Sequence, residues 1–141
     1  MKEETRIALL SCTKVKSYIL FLLTVFRSNL IDGVCLDLAR DINDIYEFIK
    51  KCKYLGEIRL LVNLVINGME SLTSKELDKI MTQYLIMTDT GELLYLKNVK
   101  SYIMKKLYTK MKIQDKIRLH KNILNETLAV LEGVNDDARG L

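Results

Sequence analysis

The amino-acid sequence predicts an all-α protein, a single compact bundle of six to seven helices around an apolar central helix at residues 14–30. Two observations favour this fold. The chain has no proline and only six glycines in 141 residues, whereas β-rich domains usually need turn residues about every ten positions. Its segments also show apolar residues at the helical period of about 3.6.

The central helix is predicted from one continuous apolar run. Residues 17–26 read SYILFLLTVF, between Lys16 and Arg27. A helix that is apolar on nearly every side normally occupies the centre of a bundle. The run is about half as long as a bilayer-spanning helix requires, so we expect no transmembrane segment.

The next segment carries an apolar stripe after a turn signal at Asp32-Gly33. Its members follow one another at alternating steps of three and four residues: Cys35, Leu38, Ile42, Ile45, Ile49 and Cys52. This spacing is typical of an amphipathic helix packed on its own bundle. A symmetric homodimer through the stripe is the alternative, although coiled coils usually sustain at least three or four heptads.

Further helices are expected over residues 57–70, after a capping box at Thr73–Glu76, and over residues 92–110 and 113–132. The residues Thr88–Gly91 are the clearest loop signal. This organisation predicts one helical domain at residues 1–132 and a short polar C-terminal tail at 133–141.

Chemistry-bearing motifs are scarce. Three cysteines without a CxxC pair indicate reduced thiols and a cytoplasmic location, a single histidine argues against a zinc site, and no glycine-rich loop predicts phosphate binding. We therefore expect no enzyme, and no catalytic, cofactor-binding or metal-binding residue. The remaining enzymatic alternative pairs Cys12 with His120, a histidine that its neighbours otherwise place at the edge of the core.

Positive charge is concentrated in one stretch. Residues 97–121 hold nine basic residues and one acidic residue, although the whole chain carries a net charge of only +4. Lys106 and Lys110 interrupt the apolar arc, which predicts that the helix bends or ends near residue 109, or that their stems lie along the core. The candidate basic surface comprises Lys97, Lys100, Lys105, Lys106, Tyr108, Lys110, Lys112, Lys116, Arg118 and Lys121.

The leading functional hypothesis is a non-enzymatic protein–protein interaction module that acts as an adaptor, inhibitor or chaperone, and one form of it is a homodimer. Its partner would offer an acidic surface or an amphipathic helix. The alternative is nucleic-acid binding through residues 95–121, with lysines on phosphates and tyrosines on unpaired bases.

Overall fold

A computed structural model describes residues 6–66 and 72–140, and for residues 134–140 it describes the backbone alone. The chain forms a six-stranded mixed sheet with four α-helices. In chain order the elements are β1 (Arg6–Val15), β2 (Tyr18–Arg27), β3 (Leu30–Ala39), α1 (Ile45–Lys51), β4 (Ile58–Val65), α2 (Ser74–Leu77), β5 (Tyr84–Thr88), β6 (Leu93–Lys97), α3 (Ser101–Tyr108) and α4 (Ile113–Gly140). Two 3₁₀ turns, Ile42–Asp44 and Leu55–Glu57, flank α1.

The strands lie in the order β3-β2-β1-β4-β5-β6. β1 pairs with β4, and β4 with β5, in parallel, whereas the other neighbours are antiparallel. Each parallel connection contains a helix, α1 before β4 and α2 before β5, as such crossovers normally do. β3 and β6 are therefore the two edge strands of this sheet.

Helices cover both faces of the sheet. On one face, α3 and α4 pack over Leu9, Leu22 and Val62, and this side is called the α4 face. On the other, α1 and α2 pack over Leu10 and Leu61, and this side is called the α1 face. Because successive strand residues point to opposite faces, the central strands contribute apolar side chains to two separate cores.

The all-α prediction is wrong, since the chain forms a six-stranded sheet. The glycine and proline count misled it, because two of the three hairpin turns among the described residues use neither residue and only the β5–β6 turn has a glycine, Gly91, at positive φ. Two-residue links join β1 to β2 and β2 to β3, and their first residues, Lys16 and Ser28, have φ of 59° and 57°. Glycine is the usual residue at such positive φ in tight hairpins. The scarcity of glycine therefore did not exclude hairpins.

The predicted central helix at residues 14–30 is instead the end of β1, the whole of β2 and two turns. Residues Leu20–Phe26 of β2 are all buried. A strand covered on both faces needs apolar residues at every position, so its sequence lacks the alternation that normally reveals a strand. The segment 57–70 was predicted as a helix for the same reason and instead contains β4, and residues 67–70 of that prediction lie outside the described residues.

The predictions for the C-terminal half agree with the structure better than those for the N-terminal half. α2 begins at Ser74 after the N-cap Thr73, but the predicted capping box does not form, because the Thr73 hydroxyl donates to the Glu76 carboxylate instead of accepting from a backbone N–H group. α2 ends at Leu77, and Thr88–Gly91 spans the end of β5 and the following turn. The predicted helix over 92–110 divides into β6 and α3. α4 starts at Ile113 and continues to Gly140, through most of the segment predicted as a polar tail.

Replacing Ser28 with glycine tests the turn. A left-handed conformation costs a non-glycine residue about 1–2 kcal/mol, and glycine in turn costs about 0.5–1 kcal/mol of chain entropy. Ser28→Gly should therefore raise the free energy of unfolding by about 0.5–1 kcal/mol in urea denaturation.

The matched control is Asn29→Gly in the same turn, where φ is not positive. That variant should lower the stability by about 0.5–1 kcal/mol, because glycine there adds only entropy to the unfolded chain. Equal effects of the two substitutions would contradict the described turn.

Candidate interaction surface

The edge strand β3 exposes an apolar row on the α4 face. Ile31, Val34, Leu36 and Leu38 lie opposite Phe26, Thr24, Leu22 and Leu20 of β2, which are all buried. The four β3 side chains are nevertheless 40%, 42%, 53% and 41% exposed. These four residues are called the β3 row.

The β3 row is exposed because the helices stop short of it. α4 packs on β1 and β2, and β3 lies beyond β2 at the end of the sheet. Among the described residues, the outer backbone edge of β3 has no partner strand. Natural proteins usually protect such edges with lysine, proline or a very short strand. The ten residues of β3, LIDGVCLDLA, contain neither lysine nor proline.

β3 is nevertheless held firmly in the sheet at its N-terminal end. Nε of Arg6 donates a hydrogen bond to the Asp32 carboxylate at 2.6 Å, and this bond holds the pKa of Asp32 below its usual value. The Tyr54 hydroxyl donates to the Asp32 carbonyl oxygen at 3.0 Å. A Cβ on Gly33 would stand 2.2 Å from the Tyr54 ring, so this close packing requires glycine. The exposed strand is therefore a fixed surface.

The opposite edge differs in length and charge. β6 has five residues, half the length of β3, and ends at Lys97, which forms an ion pair with Asp78 at 3.1 Å. Leu94 and Leu96 are exposed on β6 as well. β6 resembles the short, charged edge strands that resist pairing. β3 also carries charges, Asp32 and Asp37, and a register shift opposite Val25 and Phe26, but it is twice as long as β6.

The stripe predicted on one helix is divided among three elements and the C-cap of α1. Cys35 and Leu38 belong to β3, where they point to opposite faces of the sheet, and Ile42 belongs to a 3₁₀ turn. Ile45 and Ile49 are buried on α1 against the α1 face. Cys52 caps the C-terminus of α1, and its Sγ lies 2.6 Å from Sγ of Cys35.

Four of the ten residues of the candidate basic surface are already engaged within the protein. Arg118 and Lys121 form ion pairs with Asp115 at 3.0 Å and with Asp89 at 2.8 Å, as Lys97 does with Asp78. Lys116 is 3% exposed: its ammonium donates to the carbonyl oxygen of Met111 and lies 5.6 Å from the centre of the Phe26 ring. Burial lowers the pKa of Lys116.

The other candidates lie on α3 or next to one of its two ends. α3 ends at Tyr108. This agrees with the prediction, made from Lys106 and Lys110, that the helix ends near residue 109. Lys106 is half-buried beside the Tyr102 ring, and the Tyr108 hydroxyl donates to the Gly91 carbonyl oxygen. Four lysines of the set remain exposed and are called the α3 lysines: Lys100, Lys105, Lys110 and Lys112.

His120 lies deeper than the core edge where the sequence placed it. The side chain is fully buried on α4, with Nε2 at 2.7 Å from Oγ of Ser11 and Nδ1 at 2.8 Å from Oγ1 of Thr24. Burial lowers its pKa to about 4, so the ring is neutral at pH 7. The three residues fasten α4 to β1 and β2.

The structure separates the cysteine and histidine of the enzymatic alternative. Ser11 points to the α4 face and contacts His120, whereas Cys12 is part of the core on the α1 face. The sheet therefore lies between Cys12 and His120. Ser11 and His120 do form a serine–histidine pair, but both are buried and a substrate has no access to them.

Within the residues that the structure describes, no three His, Cys, Asp or Glu side chains form a cluster suited to a metal ion. No described helix is long and apolar enough to span a membrane.

Sequence reasoning missed the β3 row, although a signal for it exists. From Val34 to Leu38 the sequence alternates as Val-Cys-Leu-Asp-Leu. That period of two is typical of a strand with two different faces. The alternation was overlooked because Cys35 and Leu38 also fit the longer stripe at steps of three and four, which predicted a helix.

Comparisons with known proteins show no family. The chain matches no protein-family model and no curated protein. A structure described as a protein of unknown function from Archaeoglobus fulgidus DSM 4304 is similar, with 11% sequence identity and a TM-score of 0.47 over 84% of this chain and 68% of that one. At this level of similarity it contributes nothing to the functional argument.

The buried histidine predicts a loss of stability in acid. Its pKa is about 4 in the folded protein and about 6.5 in the unfolded chain, so between these values the unfolded chain binds more protons. The contribution of neutral His120 to the free energy of unfolding is complete above pH 6.5 and decreases as the pH falls towards 4. The loss between pH 7 and pH 4 should be about 3 kcal/mol.

Two variants separate the titration of His120 from general destabilisation. Their free energies of unfolding are measured by urea denaturation at each pH. His120→Gln should reduce the acid-dependent loss by about 3 kcal/mol, because glutamine does not titrate. Ser11→Ala removes one hydrogen bond and should lower stability at pH 7 while it keeps the acid-dependent loss. An unchanged pH profile in His120→Gln would contradict the assignment.

Proposed function

We propose that the protein is a non-enzymatic protein-interaction module that assembles with a second copy of itself through β3. One observation carries this proposal: a ten-residue edge strand exposes four apolar side chains, while helices cover the neighbouring strands on the same face. An apolar row beside free backbone donors and acceptors is what an added strand recognises. The resulting dimer would have one continuous sheet of twelve strands.

The sequence of β3 is suited to pairing with itself. In an antiparallel pair, residues directly opposite each other point to the same face. With Leu36 of one copy opposite Leu36 of the other, Val34 falls opposite Leu38 at two equivalent places. The two rows then form one apolar surface across the two-fold axis, and closed symmetry prevents growth into a fibre.

Charge favours this register over a neighbouring one. Asp37 lies on the α1 face of β3 and falls opposite Cys35 when Leu36 is on the axis. A shift that places Asp37 on the axis would set two carboxylates opposite each other, which is destabilising. The pairing also satisfies backbone N–H and C=O groups at the edge with protein partners.

Substitution at the axis tests the assembly. Leu36→Lys introduces an ammonium at the centre of the proposed interface, next to its own copy. The wild-type protein should be a dimer by sedimentation equilibrium, and Leu36→Lys should weaken the dimer at least tenfold or abolish it, because two like charges meet in apolar surroundings.

The matched control is Leu94→Lys on the opposite edge strand. Leu94 is 52% exposed, and Leu36 is 53% exposed, so the two substitutions alter the surface similarly. The control should remain a dimer. A monomeric wild-type protein, or a dimer that Leu94→Lys breaks and Leu36→Lys leaves intact, would refute the proposal.

Nucleic-acid binding is the second candidate function. The observation that favours it is the proximity in sequence of the four α3 lysines to Tyr102, which is 53% exposed. Lysines displace counterions from phosphates, and exposed aromatic rings stack on unpaired bases. Ion pairs and burial occupy Lys97, Lys116, Arg118 and Lys121, so the surface available for this role is small.

Salt dependence tests this second candidate. Replacing Lys105, Lys110 and Lys112 with glutamine should reduce the slope of log affinity against log salt for a single-stranded oligonucleotide by about 2. Lys50, Lys51 and Lys79 are exposed elsewhere, and their replacement should leave the slope unchanged. No measurable affinity, or equal slopes in the two triple variants, would exclude the α3 lysines as a phosphate-binding surface.

A further inference from the structure

Two cysteines from distant parts of the sequence meet on the α1 face. Cys35 lies in the middle of β3, and Cys52 follows the last turn of α1. Their Sγ atoms are 2.6 Å apart, although 17 positions separate the residues in sequence. A disulfide requires about 2.05 Å between its sulfur atoms, so the two side chains need only a small displacement for an oxidant to join them.

The pair is open to small reagents on one side. Cys35 is partly exposed at the edge of the sheet, whereas Cys52 is 5% exposed. They line a shallow surface depression together with residues of β3 and α1, which are Val34, Leu36, Asp37, Phe48 and Lys51. A small disulfide can therefore approach the sulfur of Cys35, with Cys52 directly behind it.

We propose that Cys35 and Cys52 form a redox pair, which closes reversibly to an intramolecular disulfide by exchange with a low-molecular-weight disulfide of the glutathione class. The site shares β3 with the proposed dimer, in which Cys35 would lie opposite Asp37 of the second copy, but the bond itself would form within one chain. Cysteine pairs that cycle in this way sense the thiol–disulfide balance of their surroundings.

The chemistry takes two exchange steps. The Cys35 thiolate attacks one sulfur of oxidised glutathione, a protein–glutathione disulfide forms, and one glutathione thiolate leaves. The Cys52 thiolate then attacks the Cys35 sulfur and releases the second glutathione. Two electrons pass from the pair to the small disulfide, and the two protein thiol protons end on the released glutathione molecules.

The first step should be slow at neutral pH. Burial and the neighbouring Cys52 raise the pKa of Cys35 to about 12, so few molecules carry its thiolate at pH 7. The second step is fast by comparison, because Cys52 is already in contact with the sulfur that it attacks. Glutathione-bound protein should therefore not accumulate.

Closure would fasten the edge strand to α1. The bond would close a loop that contains the end of β3, a 3₁₀ turn and the whole of α1. Such a loop restricts the unfolded chain, so the oxidised protein should unfold at a higher temperature than the reduced one, by roughly 5 to 10 °C.

Thiol counting and mass spectrometry test the pair. The full-length protein in dilute solution is incubated with oxidised glutathione, and its free thiols are titrated after denaturation. The three cysteines should give three thiols before oxidation and one after it. The intact mass should fall by two hydrogen atoms, and dithiothreitol should restore both values.

Single variants identify the bond. Cys35→Ser and Cys52→Ser should keep their mass or gain one glutathione, and neither should show the rise in unfolding temperature. Cys12→Ala, which leaves the pair intact, should behave as the wild type. Three thiols remaining in the wild type, or a bond that involves Cys12, would overturn the proposal. Repeating the oxidation in Leu36→Lys shows whether the pair closes when the proposed dimer does not form.

Discussion

β1 must be covered on both faces, and the packing of helices on the two sides of the sheet follows from this requirement. β1 lies between β2 and β4 in the interior of the sheet, and seven of its ten residues are buried. Its side chains enter two cores, so helices must pack on both sides. α1 and α2 cover one face, and α3 and α4 cover the other. β3 lies at the end of the sheet, and its α4 face stays exposed because α4 packs on β1 and β2.

The buried polar network gives this arrangement its specificity on the α4 face. Apolar contacts between α4 and the sheet would tolerate small displacements along the helix. The hydrogen bonds of His120 to Ser11 and Thr24 fix one position, because a displaced imidazole would be buried without partners. His120 therefore joins α4 to the sheet, while Cys12 lies on the opposite face of the sheet.

The sequence predicted the C-terminal helices better than the sheet, for physical reasons. α4 exposes one side to water, so its start at Ile113 is visible in the apolar period. β2 and β4 are buried on both faces and carry no alternation, and the turns at Lys16 and Ser28 lack glycine. At the candidate surface, Leu38 was named but assigned to a helix, and Val34 and Leu36 were missed. The contact between Cys35 and Cys52 requires the fold, since no local spacing predicts it.

The apolar row and the cysteine pair lie on opposite faces of the same strand, and both depend on β3 being an edge. We propose that this edge pairs with a second copy. Amide hydrogen exchange measured against protein concentration tests the pairing. Peptides covering residues 30–39 should become protected as the concentration rises, while peptides covering residues 93–97 should not change. Exchange in residues 30–39 that is independent of concentration would contradict pairing through β3.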